Sequence, residues 1–181
     1  SGLQAIVTAA MEIDNGFCDV AVAGGGESMD NIPFYLRNAR RGYRMGHAEL
    51  EDGLVTALSD PITRDHMGIT AENIAERYHI SREDQDAYAL MSQQRAAKAR
   101  DEGKFKDEIV PVEVRVNKKE TKIFDTDEHI RDNTTLEKLA KLKPAFKAGG
   151  TVTAGNGSGS NDCGAAVVLM IEEEAKRRRR K

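Results

Sequence analysis

The stretch Gly150-Thr151-Val152-Thr153-Ala154-Gly155-Asn156-Gly157-Ser158-Gly159-Ser160-Asn161-Asp162 constrains this chain more than any other. It is nearly without bulk and runs into the apolar segment 165–171. Glycine lets a backbone approach a ligand closely and take positive φ, and Thr and Ser hydroxyls are adaptable donors and acceptors. Taken alone, such a run also reads as a flexible connection. Two features favour a fixed loop: a strand pattern follows at once, and Val152 and Ala154 interrupt the polar character. A loop held at a strand end is a place for a ligand.

The chain before it alternates helical and strand patterns. Residues 3–13 are good helix formers, apolar on nearly every face, and such a helix is expected between other layers. Asp14-Asn15-Gly16 ends it. Residues 20–23 read as a parallel-type interior strand closed by Gly24-Gly25-Gly26, and 164–171 as a second buried strand. Thr70 is expected to cap a helix over 71–78, and Ser81 one running to about 102. The latter carries a stripe of Ala87, Leu90, Met91 and Ala97 that reads as core. Residues 109–116 alternate, with Pro111 marking an edge or bulged strand. Residues 117–121 form a charged hairpin or loop, and Thr134-Thr135-Leu136-Glu137 reads as a capping box before a short helix that Pro144 stops. The end, 172–181, reads as a helix with acids first and bases last. Two apolar strands thus bracket a polar, mixed segment, the pattern of a domain inserted into an α/β layer.

Hydrophobic residues at 39% and charged residues at 31% suit a globular chain with a polar surface. A net charge of −3 gives no global pull toward nucleic acid. No apolar run reaches the roughly 20 residues that span a bilayer, so no membrane association is expected. Cys18 and Cys163 make no disulfide framework, which points to a reducing cytoplasm. His47, His66, His79 and His129 lack ligand spacing, and no metal site is expected. Phe34, Tyr35 and Tyr43 interleaved with Arg37, Arg40, Arg41 and Arg44 fit a nucleic-acid platform or a subunit contact, and the contact is preferred. The basic block 177–181 reads as a solvated helix end.

Several motifs then stand in one order and spacing: Ser1-Gly2-Leu3-Gln4-Ala5, Val22-Ala23-Gly24-Gly25-Gly26-Glu27-Ser28-Met29, His66-Met67-Gly68-Ile69-Thr70-Ala71-Glu72-Asn73, Ser81-Arg82-Glu83-Asp84-Gln85-Asp86 and Leu142-Lys143-Pro144-Ala145-Phe146. In these the chain resembles the thiolases, in particular the biosynthetic type, acetyl-CoA C-acetyltransferase. The resemblance implies a thiolase-like α/β fold fragment. Residues 1–28 and 160–181 would belong to the N-terminal α/β half, and 29–159 would be an inserted domain covering coenzyme A, with its oligomerisation loop. It implies a homotetramer in the intact enzyme, and acetyl-CoA and CoA as substrates with no further cofactor. It carries CoA contacts onto Leu58, His66, Met67, Gln93, Arg131, Phe146, Ala154 and Ser158.

It also places the catalytic cysteine, histidine and second cysteine outside these residues. The chain is therefore expected to be an internal fragment, inactive alone. The His66-Met67 pair favours short acyl groups. Gly26 replaces a family methionine, and Lys138 stands where some members have a CoA-contacting serine. Other readings are a 3-ketoacyl-CoA thiolase of fatty-acid degradation and a non-catalytic acyl-CoA-binding or assembly module.

Overall fold

The structure, a computed structural model, describes residues 1–179. Arg180 and Lys181, the end of the basic block, lie outside the described residues. The chain forms two compact units: Ser1–Ala57 together with the stretch from Ser160 onward, and Leu58–Gly159.

In the first unit, helix α1 (Gly2–Asp14) packs on strands β1 (Val20–Glu27) and β6 (Cys163–Met170). Gly16, at φ 73°, takes the left-handed conformation just past the helix. The two strands pair antiparallel, Val20 opposite Met170 and Glu27 opposite Cys163. This corrects the parallel-type reading: a continuous apolar run marks an interior strand but carries no direction. Gly24, Gly25 and Gly26 lie inside β1, opposite Ala166, Ala165 and Gly164, rather than closing it.

The expected burial is also corrected. Ala9 and Ala23 are buried, but Val22 is 71% and Val168 60% exposed. One helix against two strands supplies too few layers to cover an apolar sheet.

The Asp162 carboxylate joins the strand ends, accepting from the Met29 N–H at 2.6 Å and the Ser28 hydroxyl at 3.3 Å. Beyond it lie the short antiparallel pair β2 (Phe34–Tyr35) and β3 (Glu51–Asp52), then α2 (Gly53–Ala57). Arg37 is ion-paired with Glu51. Phe34, Tyr35, Leu36 and Tyr43 are exposed. The unit ends with α6 (Glu172–Arg177), whose Glu174 carboxyl is pushed down to about 2 by hydrogen bonds from Arg177 and Arg178.

The second unit holds α3 (Met67–Tyr78), α4 (Arg82–Asp101), the hairpin β4 (Val112–Asn117) and β5 (Glu120–Phe124), and α5 (Leu136–Ala140). Ser81 caps α4 as expected, its hydroxyl accepting from the Asp84 N–H at 3.0 Å. Helix α3 starts earlier than expected, because the His66 ring rather than Thr70 takes the capping position. Thr135, not Thr134, caps α5. The apolar stripe of α4 is only part-covered: Ala87 is exposed, Leu90, Met91 and Ala97 are half-buried, and the buried residue of that helix is Asp86. Why a carboxylate occupies the buried face becomes clear at the glycine-rich loop.

Candidate functional site

The loop from Gly150 to Gly157 is fixed by buried polar groups on α3 and α4. Gly68, Glu72 and Ala75 are the buried residues of α3, at i, i+4 and i+7, so a carboxylate faces inward. That carboxylate accepts from the Thr151 N–H at 2.9 Å, the Thr151 hydroxyl at 3.0 Å and the Val152 N–H at 2.8 Å. Burial pushes the Glu72 carboxyl up, but the hydrogen bonds from Thr151 and Val152, with the charge of Lys147, hold it below its usual value. Gly150 is close enough that a Cβ there would collide with the same carboxylate.

On α4, Gln85 donates to the Thr151 hydroxyl at 2.9 Å. Asp86 accepts from Arg82 at 2.8 Å and from the Asn156 side chain at 2.9 Å. Asn156 in turn donates to the Thr151 carbonyl and accepts from the Thr153 N–H. Arg82 also donates to the carbonyls of Leu139 and Leu142. The loop is therefore rigid, which is what a ligand-facing backbone needs.

Sequence reasoning missed Glu72, Arg82, Gln85, Asp86 and Asn156. The local signals were the Arg82–Asp86 i,i+4 pair and the register of Glu72 with Gly68 and Ala75.

The eight residues matched to CoA contacts all lie in this unit. Leu58, His66, Met67 and Phe146 form one group. The Met67 N–H donates to the Leu58 carbonyl at 2.8 Å. His66 Nδ1 accepts from the Gly68 N–H at 3.0 Å, and its ring stacks on Phe146, centroids 4.7 Å apart and planes 22° from parallel. The stack depends on Gly68, where a Cβ would collide with the Phe146 ring.

Gln93, Arg131 and Ala154 form a second group, lining one cavity of about 170 Å³. Gln93 Oε1 accepts from the Arg131 N–H at 2.8 Å, and the Arg131 carbonyl accepts from Thr134. The Arg131 backbone is thus held at both ends, while its guanidinium has no carboxylate partner among the described residues. The two groups meet on one turn: Pro144 bridges to Thr153, and the Ala145 N–H donates to the Val152 carbonyl at 2.9 Å. Phe146 follows one arm and Ala154 the other. Ser158 is exposed beside Gly157, a lining residue of the cavity, and bonds to none of the other seven.

In the first unit, an apolar hollow of about 290 Å³ lies between Ile6, Ala23 and Ala165, with Cys163 on its wall. It holds none of the eight. Among the described residues neither cysteine is hydrogen-bonded to a histidine, and no cluster of His, Cys, Asp or Glu has metal-site geometry. No described helix is long and apolar enough to cross a membrane.

The family model for the thiolase N-terminal domain matches residues 1–173. The chain is 53% identical to an acetyl-CoA acetyltransferase of Chromobacterium violaceum over 93% of its own length and 43% of that protein. The crystal structure of the Bacillus anthracis acetyl-CoA acetyltransferase superposes with a TM-score of 0.91 at 49% identity, covering all of this chain and 46% of the other. Human mitochondrial 3-ketoacyl-CoA thiolase in complex with CoA gives a TM-score of 0.88 at 46% identity, over 99% of this chain and 44% of the other. The chain spans less than half the length of each of these proteins.

Proposed function

The chain belongs to the thiolase family, and from that premise we propose that it supplies the coenzyme A-binding part of an acetyl-CoA C-acetyltransferase. The reaction joins two acetyl-CoA into acetoacetyl-CoA, or reverses that step. A cysteine thiolate takes the acetyl group from one acetyl-CoA, releasing CoA as the thiol. A base removes a methyl proton from the second acetyl-CoA, and the carbanion attacks the acetyl thioester. Carbon–carbon bond formation then expels the thiolate.

We assign the thiolate and the base to residues other than these 181. Cys18 precedes β1 and Cys163 opens β6, each without a hydrogen-bonded histidine among the described residues. This chain's part is to bind and orient. The His66–Phe146 stack offers a flat apolar face, the fixed loop offers backbone groups, and Arg131 offers a cation.

The observation that carries the reading is the convergence of Gln93, Arg131 and Ala154, 61 residues apart at the extremes, on one cavity with an uncommitted guanidinium. The likeness to a thiolase named as a CoA complex supports it. The same likeness favours a second reading, a 3-ketoacyl-CoA thiolase, in which the cleft serves longer acyl chains. The division of roles between the compact units, a cytoplasmic location and a tetramer built through the exposed aromatics of residues 34–43 belong to the same proposal.

Calorimetric titration of the chain with CoA tests it. Binding is expected, and Arg131→Ala weakens it about tenfold, the loss of one charge-assisted contact. A folded chain that releases no heat with CoA in the millimolar range refutes it.

A further inference from the structure

The second compact unit holds a larger cavity, of about 460 Å³, that none of the eight matched residues lines. That volume lies in the roughly 300–1,000 Å³ range of ligand pockets. Phe105, Ile109, Pro111 and Ile130 supply its apolar part. The chain turns sharply after α4 to form it: Gly103 takes φ 70°, and the Ile109 N–H donates to the Phe105 carbonyl at 2.9 Å. Arg100, which also lines it, is held by Asp101 and Asp132, each at 2.8 Å. Asp125 and Asp127 line it too, and among the described residues neither has a cation within ion-pair distance. With Arg100 committed, two free carboxylates outnumber the one free ammonium, Lys106. The cavity also stands at the C-terminal end of α4, where the helix dipole favours positive charge.

Pro111 directly precedes β4 and Asp125 directly follows β5, so the cavity lies at the open end of the hairpin. A two-stranded hairpin is marginal by itself and gains from a third strand. Here β4 and β5 pair with each other and with no third strand among the described residues. Val112, Val116, Ile123 and Phe124 are left exposed. The two outer edges differ. Strand β4 is entered through Pro111, which has no N–H, and its register shifts between Arg115 and Asn117; both features blunt an edge. Strand β5 has neither, and alternate residues along it turn their N–H and C=O groups away from β4. Its one cation, Lys122, is drawn toward Glu128 at 3.7 Å.

We infer that the β5 edge and this cavity together form a docking site for an extended peptide segment of a partner protein, one that carries a large apolar residue flanked by Lys or Arg. The segment adds to β5 as a third strand. Its apolar side chain enters the cavity against Phe105 and Ile109, and its basic neighbours meet Asp125 and Asp127. Main-chain bonds along an edge give such a complex its affinity, and the pocket for one side chain gives it selectivity. An acidic segment would face two uncompensated carboxylates and be repelled. A second copy of β5, paired antiparallel about its centre, would set Lys122 against Lys122, and like charges directly opposite are destabilising. The edge therefore suits a foreign strand better than its own. None of the residues matched to CoA takes part, so the inference stands apart from the proposed function.

The probe is a fluorescein-labelled peptide, Lys-Leu-Lys-Val-Thr-Val-Thr, titrated with the chain and followed by fluorescence anisotropy. Saturable binding below about 1 mM is expected. Asp125→Asn combined with Asp127→Asn, two exposed changes that leave the circular dichroism spectrum unaltered, weakens it about five- to tenfold. A second peptide, with Pro in place of the first Val and of the Thr after it, lacks a strand donor in either register and does not bind. Amide exchange shows protection of β5 by the first peptide. No saturable binding overturns the inference, and so does equal binding of the Pro-containing peptide. Binding unmoved by the double Asn change overturns it as well. A concentration-dependent dimer that protects the β5 amides and excludes the peptide overturns it in favour of a second copy of this chain.

Discussion

Removing the Glu72 carboxylate should loosen the glycine-rich loop and destabilise the unit that carries it. In Glu72→Ala the Thr151 and Val152 N–H groups lose their acceptor, and Val152 is buried. An unpaired buried donor costs about 1–3 kcal/mol. With two such donors, one of them half-buried, the expected loss is about 3–4 kcal/mol. Against a typical total of about 5–15 kcal/mol, that is a large share. Glu72→Gln keeps one oxygen for Val152 and turns an amide toward Thr151, whose hydroxyl can accept from it, so its cost is about 1–2 kcal/mol.

The pH dependence has a definite sign. The folded carboxyl sits below its usual value of 4.5, so its contribution is complete above that value and is lost as the pH falls through the lower, folded one. Urea unfolding followed by circular dichroism, at neutral pH and at steps below 4.5, measures both effects. An Ala variant within about 1 kcal/mol of the unaltered chain refutes the anchoring role. So does a difference between the unaltered chain and the Gln variant that stays flat on acidification.

Asp86 anchors the other end of the loop, and Asp86→Ala strands Arg82 among the Leu139 and Leu142 carbonyls. A loss of about 3–5 kcal/mol in unfolding free energy is expected for breaking one side of such a buried pair. The chain by itself should not cleave acetoacetyl-CoA with free CoA, since thiolate and base must stand within hydrogen-bond reach. Turnover that disappears in Cys163→Ser would make that residue a nucleophile and overturn the assignment of the thiolate to residues other than these 181.

What the sequence made legible was local. Ser81 capped its helix, Gly16 ended α1, and the glycine-rich run proved to be a fixed loop. The residues that fix it were not legible, because Glu72 and Asp86 lie 79 and 70 positions from their partners Thr151 and Asn156. No local pattern reports such a pairing. The α3 start was misplaced because histidine is an uncommon cap, and its ring nitrogen does the work that Ser or Asp usually does. Strand direction was misread because an apolar run looks alike in either sense. Of the site, the His66–Phe146 stack joins residues 80 apart, and only the motif order hinted that they belong together.

Coenzyme A is proposed to bind on the turn 144–157 and around Arg131. Amide hydrogen exchange of the chain with and without CoA locates the ligand directly. Protection is expected at 129–138 and 150–158, with β1 and β6 unchanged. Protection confined to β1 and β6, beside the hollow at Cys163, or no change anywhere under saturating CoA, would contradict it.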